Sequence, residues 1–213
     1  MEFPHLLQLV EKNQFDTIYH EHFSYISFNA VTRIFEAAGL EMFDVQEIPT
    51  HGGSLRIFAK HKEDNSKKTE PAVKELLQKE KDHGMLHMEY YDHFQQKAMQ
   101  VKLALLEFLI SQKKAGKKVA AYGAAAKGNT LLNYCGVKAD LVDFVIDANP
   151  HKQDKFMPAS HIPVYAEQYL KDQKPDYVII LPWNLKEEVM SQLEYIKTWG
   201  GKFVIPIPAL QII

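Results

Sequence analysis

The chain has 213 residues, of which 46% are hydrophobic and 24% are charged, and its formal net charge is -2. This balance is ordinary for a globular protein and excludes the electrostatic signature of a nucleic-acid or anionic-membrane partner. Cys135 is the single cysteine, which excludes an internal disulfide and a cysteine zinc cage and fits a reducing cytoplasm. No apolar run approaches the ~20 residues that span a bilayer, and the first residues lack a signal-peptide pattern. We expect a soluble, cytoplasmic protein without a metal site.

Residues 1 to about 60 predict a short helix, a polar–aromatic segment, a second helix and a hairpin. Apolar residues at helical spacing predict the second helix over 28–38, and Gly39 supplies its stop. Residues 40–45 and 54–60 then predict two paired strands. Two or three strands with two helices make a thin domain, so we expect this region to be the last part of a larger one.

The polar–aromatic segment, residues 19–27 (YHEHFSYIS), lies between Phe15 and Phe28. Aromatic flanks indicate partial burial, and buried ionisable groups are costly unless they are paired or functional. The segment is therefore a candidate acid–base site, whether its backbone is extended or turned. The alternative is that His20 and His22 are ordinary core or surface residues, because HEH lacks the i, i+4 histidine spacing of a zinc-protease helix.

The polar residues 61–70 predict a surface linker, and Pro71 suits the first turn of a helical region that continues to about Lys114. His83 and His87 lie one turn apart in this region. A metal pair is one interpretation, and a solvated helix face is the preferred one.

From Lys117 onward, apolar strands alternate with helices, which predicts a parallel sheet in a Rossmann-like domain. The predicted strands are 119–122, 141–146, 177–181 and 203–207, and the predicted helices are 129–134 and 187–196.

The segment VAAYGAAAKGNTLLNY places a glycine turn between a strand and a helix, where such sheets bind ligands. It is not the dinucleotide fingerprint, which would need glycine at position 125, and this weakens a redox-sensing dinucleotide site. Nor is it a P-loop. Asp147 lies at the end of the next strand. Nucleotide-binding α/β proteins have an acid at this position that accepts a hydrogen bond from a ribose hydroxyl. The alternative is a tight turn without a ligand. The candidate anion- or nucleotide-binding residues are Gly123, Lys127, Gly128, Asn129, Asp147 and Asn149.

A third polar cluster, residues 51–56 (HGGSLR), combines paired glycines with a cation. The glycines permit close contact with a ligand, or they serve a hairpin connection. Arg56 points either to solvent or into a carboxylate or phosphate site. The candidate substrate-binding residues here are His51, Gly53, Ser54 and Arg56.

The segments FDTIYHEHFSYIS, THGGSLRIF and VAAYGAAAKGNTLLNYCG, in this order, resemble the C-terminal part of sugar C-methyltransferases. The resemblance covers nearly the whole chain. It implies transfer of a methyl group from S-adenosylmethionine to a carbon of a nucleotide-linked keto-sugar, as in deoxysugar biosynthesis. It also implies missing parts, because the family's zinc-binding cysteines and most of its methyl-donor site are absent.

The resemblance places the family's Tyr-x-Glu-His pattern on Tyr19, Glu21 and His22. A carbon next to a ketone must lose a proton before it attacks a methyl group, and an imidazole suits that task. In this reading His22 is the base, Glu21 orients it or stabilises its protonated form, and Tyr19 binds the developing enolate. The C-terminal domain is implied to hold the nucleotide part of the substrate.

We therefore predict an α/β chain in two parts. Residues 1–65 are the remnant of a methyltransferase domain, and residues 66–213 are a helical connector and a Rossmann-like nucleotide-sugar-binding domain. The predicted function is the substrate-binding and acid–base half of a C-methyltransferase, inactive in isolation. The alternative is a non-catalytic nucleotide-sugar-binding module that acts with a partner chain.

Overall fold

The computed structural model describes all 213 residues. The chain forms two compact units. Unit 1 consists of Met1–Gln14 and Glu21–Gln96, and unit 2 of Phe15–His20 and Lys97–Ile213. The chain thus joins unit 2 over residues 15–20, which include the first two residues of the polar–aromatic segment, and then returns to unit 1. The predicted domain boundary after residue 65 stays a prediction.

Unit 1 contains a three-stranded antiparallel sheet with strand order β1-β3-β2, together with helices. Its elements are β1 (Glu2–Pro4), α1 (Leu6–Glu11), α2 (Phe28–Ala37), β2 (Leu40–Ile48), β3 (Ser54–His61) and α3 (Pro71–Asp82). Phe28, Leu55 and Leu76 are among the buried apolar residues that form its core. The predicted second helix and the predicted hairpin are confirmed, whereas β1 was not predicted.

The helical region predicted from Pro71 to about Lys114 is interrupted, because α3 ends at Asp82 and the next α-helix, α4, covers Phe94–Lys114. Gly84 adopts a φ of 82°, a left-handed conformation that L side chains rarely adopt and that commonly ends helices. Leu77 and Met88 belong to an apolar stripe at helical spacing that continues on both sides of Gly84, so this pattern had placed Gly84 inside the helical region. His83 and His87 therefore do not share one helix face, which removes the geometric basis of a metal pair.

Unit 2 contains a seven-stranded sheet with strand order β10-β9-β8-β4-β5-β7-β6. The five central strands are parallel, and the edge strands β6 and β10 are antiparallel. The elements after α4 are β4 (Val119–Tyr122), α5 (Ala126–Cys135), β5 (Phe144–Ile146), β6 (Lys155–Phe156), β7 (Pro163–Tyr165), α6 (Glu167–Gln173), β8 (Tyr177–Ile180), α7 (Lys186–Gln192), β9 (Lys202–Ile205) and β10 (Gln211–Ile212). The predicted Rossmann-like α/β fold is confirmed.

The central strands form because they are short, apolar and buried, as parallel strands require. β6, β7, α6 and β10 were not predicted, since their sequences carry weak periodicity. Helix α5 begins at Ala126, three residues before its predicted start, so Gly128 lies inside its first turn. No helix of the chain has both the length and the apolar character needed to cross a bilayer.

Candidate functional site

A cavity of about 220 Å³ lies in unit 2, beyond the carboxyl end of β4. The first turn of α5 and the residues before it form part of its lining. Tyr19 and His20 of the polar–aromatic segment form another part. It is lined by Tyr19, His20, Ala124, Ala125, Ala126, Asn129, Thr130, Met157 and Pro158. The structure therefore brings part of the polar–aromatic motif to the glycine turn, although more than 100 residues of chain separate them.

The glycines of the turn have a packing role. Gly123 has a φ of 93°, and a Cβ there would lie 2.6 Å from Cδ of Pro182. A Cβ on Gly128 would lie 2.7 Å from Cδ1 of Leu181. Both positions require glycine because the turn and α5 approach the residues after β8 closely. Neither glycine lines the cavity, so their predicted contact with a ligand stays a prediction.

The first turn of α5, with its backbone N–H donors, begins at Ala126, which lines the cavity. Its N-cap residue, Ala125, makes no side-chain capping bond. Helix N-termini leave such donors available for anions, and small side chains permit close approach. This end of the helix is therefore suited to a phosphate or another anion.

The carboxylate of Asp147 is engaged by the protein itself. It accepts from the backbone N–H of Ala124 at 2.8 Å, from that of Asn149 at 2.8 Å and from Nζ of Lys152 at 3.2 Å. The side-chain oxygen of Asn149 accepts from the backbone N–H of His151. These bonds hold the β4–α5 turn against the residues after β5. Ribose binding by Asp147 and Asn149 stays a prediction.

Lys127 does not line the cavity, whereas a side chain that binds phosphate there would have to reach into it. It is buried, its Nζ lies 4.7 Å from the ring centroid of Trp183, and it donates to Oδ1 of Asn184 at 3.2 Å. Burial lowers its pKa, and the nearby carboxylate of Asp16 opposes that change. Its predicted role toward phosphate stays a prediction, and the structure gives it a place in a buried polar cluster.

Sequence reasoning missed Asp16 and Trp183, the other members of this cluster. The indole N–H of Trp183 donates to Oδ2 of Asp16 at 2.7 Å, and both side chains are buried. Burial raises the pKa of Asp16 to about 6, and the hydrogen bond from Trp183 opposes the rise. An acid between Phe15 and Thr17 was a usable signal, because acids are rarely buried without a partner.

The three predicted acid–base residues are distributed over both units. Tyr19 belongs to unit 2, where it is half-buried at the cavity, and Glu21 and His22 belong to unit 1. Glu21 is exposed and His22 is half-buried, with its ring centroid 6.3 Å from that of Tyr25. Residues 22–27 are neither helix nor strand. The roles of these three residues stay predictions.

The third predicted cluster lies in unit 1, in the β2–β3 connection and the first residues of β3. His51 has a φ of 55°, and a Cβ on Gly53 would lie 2.7 Å from Cγ of Gln8. The hydroxyl of Ser54 donates to the carbonyl of Thr50. Arg56 pairs with Glu2 at 3.0 Å, and both side chains are partly exposed. The hairpin explanation of the glycines has direct structural support, while substrate binding by these residues stays a prediction.

The buried Glu80 of α3 is a third residue that sequence reasoning missed. It accepts from Nε2 of His5 at 2.8 Å and from the backbone N–H groups of Phe28 and Asn29. The side chain of Ser27 accepts from Ala30 N at the same helix end. Together these bonds fix the start of α2, where the polar–aromatic segment ends.

The family model for the C-methyltransferase C-terminal domain matches residues 49–208. The chain therefore belongs to the C-methyltransferase family that this domain defines. It is also 36% identical over 213 residues to the C-methyltransferase NovU of Streptomyces niveus. That match covers 100% of this chain and 50% of NovU, so the chain spans about half the length of this curated relative.

Proposed function

We propose that the chain is the acceptor-binding and acid–base portion of an S-adenosylmethionine-dependent C-methyltransferase acting on a nucleotide-linked keto-sugar, without activity when isolated. The family match supports the reaction class. The observation that carries the proposal is the cavity in unit 2, where Tyr19 and His20 face the first turn of α5. A helix start beside the phenol of Tyr19 suits an acceptor that carries phosphates and a ketone, whereas the proposed base, His22, belongs to unit 1 and does not line this cavity.

The cavity offers three kinds of contact to such an acceptor. The backbone N–H groups of α5 suit the diphosphate, and the small side chains of Ala124, Ala125 and Ala126 let it approach. Met157 and Pro158 add an apolar wall. Tyr19 supplies a phenol, a donor suited to a carbonyl oxygen that becomes negative during deprotonation.

The proposed chemistry is removal of a proton from the carbon beside the ketone. His22 accepts that proton through a ring nitrogen, and the electron pair moves toward the carbonyl oxygen. Glu21 orients the imidazole or stabilises its protonated form, and Tyr19 donates to the enolate oxygen. Each of these roles uses a residue type suited to reaction near neutral pH.

In the proposed reaction, S-adenosylmethionine would supply the methyl group. The residues described here do not fit a site for it, because the acid after the second parallel strand, Asp147, already binds Ala124, Asn149 and Lys152.

Calorimetric titration of the chain with UDP, dTDP and S-adenosylmethionine tests this function. We expect at least one of the two nucleotides to bind about tenfold more tightly than S-adenosylmethionine, a difference of about 1.4 kcal/mol. Ala125→Leu, which adds bulk to the cavity wall, should abolish nucleotide binding. Ala139→Leu is the matched control, because Ala139 is exposed in the same unit. Tight binding of S-adenosylmethionine without nucleotide binding would reject the proposal.

A further inference from the structure

Asp16 is a fully buried carboxylate to which the chemistry above gives no role. It lies in a 3-10 turn, Phe15–Thr17, and its Oδ1 has no hydrogen-bond partner. Its Oδ2 accepts from Trp183 at 2.7 Å. Burial of a carboxylate carries a desolvation penalty that an apolar residue at the same place would avoid.

The turn that carries Asp16 is attached to α5 by two sets of contacts. The ring of Phe15 packs against that of Tyr134 in α5, with ring centroids 4.9 Å apart. On the other side, Asp16 binds Trp183, whose ring lies under the ammonium group of Lys127 in the first turn of α5. The turn is therefore held against the helix whose N-terminus forms the facing wall of the cavity.

Tyr19 follows this turn with little freedom to move independently. The backbone N–H of Ile18 donates to the carbonyl of Phe15 at 3.1 Å, and that of Tyr19 donates to the carbonyl of Thr17 at 3.1 Å. These short-range bonds tie the backbone of Ile18 and Tyr19 to the turn, and His20 follows Tyr19 directly in the chain. A displacement at Asp16 is therefore transmitted to the cavity wall.

We propose that Asp16 is a positioning residue for the cavity, and that its bond from Trp183 holds Tyr19 and His20 opposite the first turn of α5. This inference rests on the proposed function, in which the cavity receives the nucleotide of the acceptor. The arrangement suits a carboxylate, because hydrogen bonds to a charged acceptor are shorter and stronger than those between neutral groups. Lys127 supplies a nearby positive charge, which favours the ionised form of Asp16.

The test compares Asp16→Ala, Asp16→Asn and the control Leu170→Ala. Leu170 is buried in α6 and does not line the cavity, so its variant reports the effect of general destabilisation. Amide hydrogen exchange of residues 15–20 is measured without ligand, and affinity for UDP and dTDP is measured by calorimetry. We expect Asp16→Ala to accelerate exchange in this segment at least tenfold and to weaken nucleotide binding about tenfold. Asp16→Asn, which keeps an acceptor for Trp183, should restore affinity to within about threefold of wild type.

A double-variant cycle with Tyr19→Ala separates positioning from an independent structural role. If Asp16 acts through Tyr19, then Asp16→Ala should cost little further affinity once Tyr19 has been replaced. Additive losses would overturn the inference. Unchanged exchange of residues 15–20 in Asp16→Ala would overturn it as well.

The exchange measurement also keeps this inference distinct from the proposed function. If wild type binds neither nucleotide and Asp16→Ala still loosens residues 15–20, the proposed ligand is wrong and the anchoring by Asp16 is supported. If wild type binds a nucleotide and Leu170→Ala weakens binding as much as Asp16→Ala does, the loss reflects stability, and the positioning role is rejected.

Discussion

Each unit buries one carboxylate next to the polar–aromatic motif, and the two carboxylates are satisfied very differently. In unit 1, Glu80 accepts from His5 and from the two backbone N–H groups that begin α2. In unit 2, Asp16 accepts from Trp183 through one oxygen, and its other oxygen has no hydrogen-bond partner. Both side chains are wholly buried. Burial by itself therefore does not fix the desolvation penalty of a carboxylate, because that penalty also depends on how many hydrogen-bond donors surround it.

Asp16 precedes the polar–aromatic segment in the chain, and Glu80 binds the two residues that follow it. Glu80 acts as a helix cap supplied from another helix, an arrangement that serves stability in the first place. Asp16 is held by a single indole and carries a raised pKa, about 6, because of desolvation. An under-satisfied acid is the better candidate for a functional role, since its cost has no full structural compensation.

The largest expected effect is loss of the Glu80 cap. Glu80→Ala leaves three donors without their acceptor, so we expect the free energy of unfolding of unit 1 to fall by about 4 kcal/mol. Urea unfolding followed by far-ultraviolet circular dichroism measures this change. Glu75→Ala on the same helix is the control, because Glu75 is exposed and should change stability by less than about 0.5 kcal/mol. A loss below about 1 kcal/mol in Glu80→Ala would show that the cap is not structural.

The second effect is a pH dependence of the stability of unit 2 that Asp16 should cause. A carboxyl whose pKa is raised on folding stabilises the folded state fully below its unfolded pKa, near 4, and loses that contribution as pH rises through about 6. Relative to Asp16→Asn, wild type should lose about 3 kcal/mol across this window, because each pKa unit corresponds to about 1.4 kcal/mol. Urea unfolding followed by tryptophan fluorescence reports unit 2, where Trp183 and Trp199 both lie. Parallel pH profiles of the two proteins would contradict the raised pKa.

The smallest effect should come from the donor side of the same bond. Trp183→Phe removes the N–H that binds Asp16, and we expect a loss of about 2 kcal/mol at pH 7.5 but about 1 kcal/mol at pH 4.5, where the acid is neutral. Unfolding is followed by circular dichroism at both pH values. Trp199→Phe is the matched control, since its indole donates to the carbonyl of Pro175, which does not titrate. Equal losses at both pH values in Trp183→Phe would contradict the prediction that the strength of this hydrogen bond depends on the charge of Asp16.

Much of the fold could be predicted because local signals agree with the final structure. The hairpin of β2 and β3, the helix α2 and the central strands follow from apolar periodicity and from glycine at the element ends. The interruption at Gly84 was missed because the apolar stripe continues through it, although its φ of 82° ends α3. The edge strands β6 and β10 were missed because two residues give no periodic pattern.

The candidate site was only partly predictable. Sequence motifs selected Tyr19 and the β4–α5 turn, and the structure brings both to one cavity. The motifs also selected Lys127 and Asp147, whose side chains are engaged by Asn184 and by the turn itself. Side-chain direction depends on neighbours that are distant in the chain, so residue type could not reveal these partners.

The amino-acid sequence by itself determined the α/β class, the position of the glycine turn and the family, because periodicity and motif order are properties of the chain. Tertiary structure decided that residues 15–20 join unit 2 and that Asp16 meets Trp183, 167 residues away. The physical reason is that burial and hydrogen bonding are set by which distant segments exclude water together, and no local pattern records that.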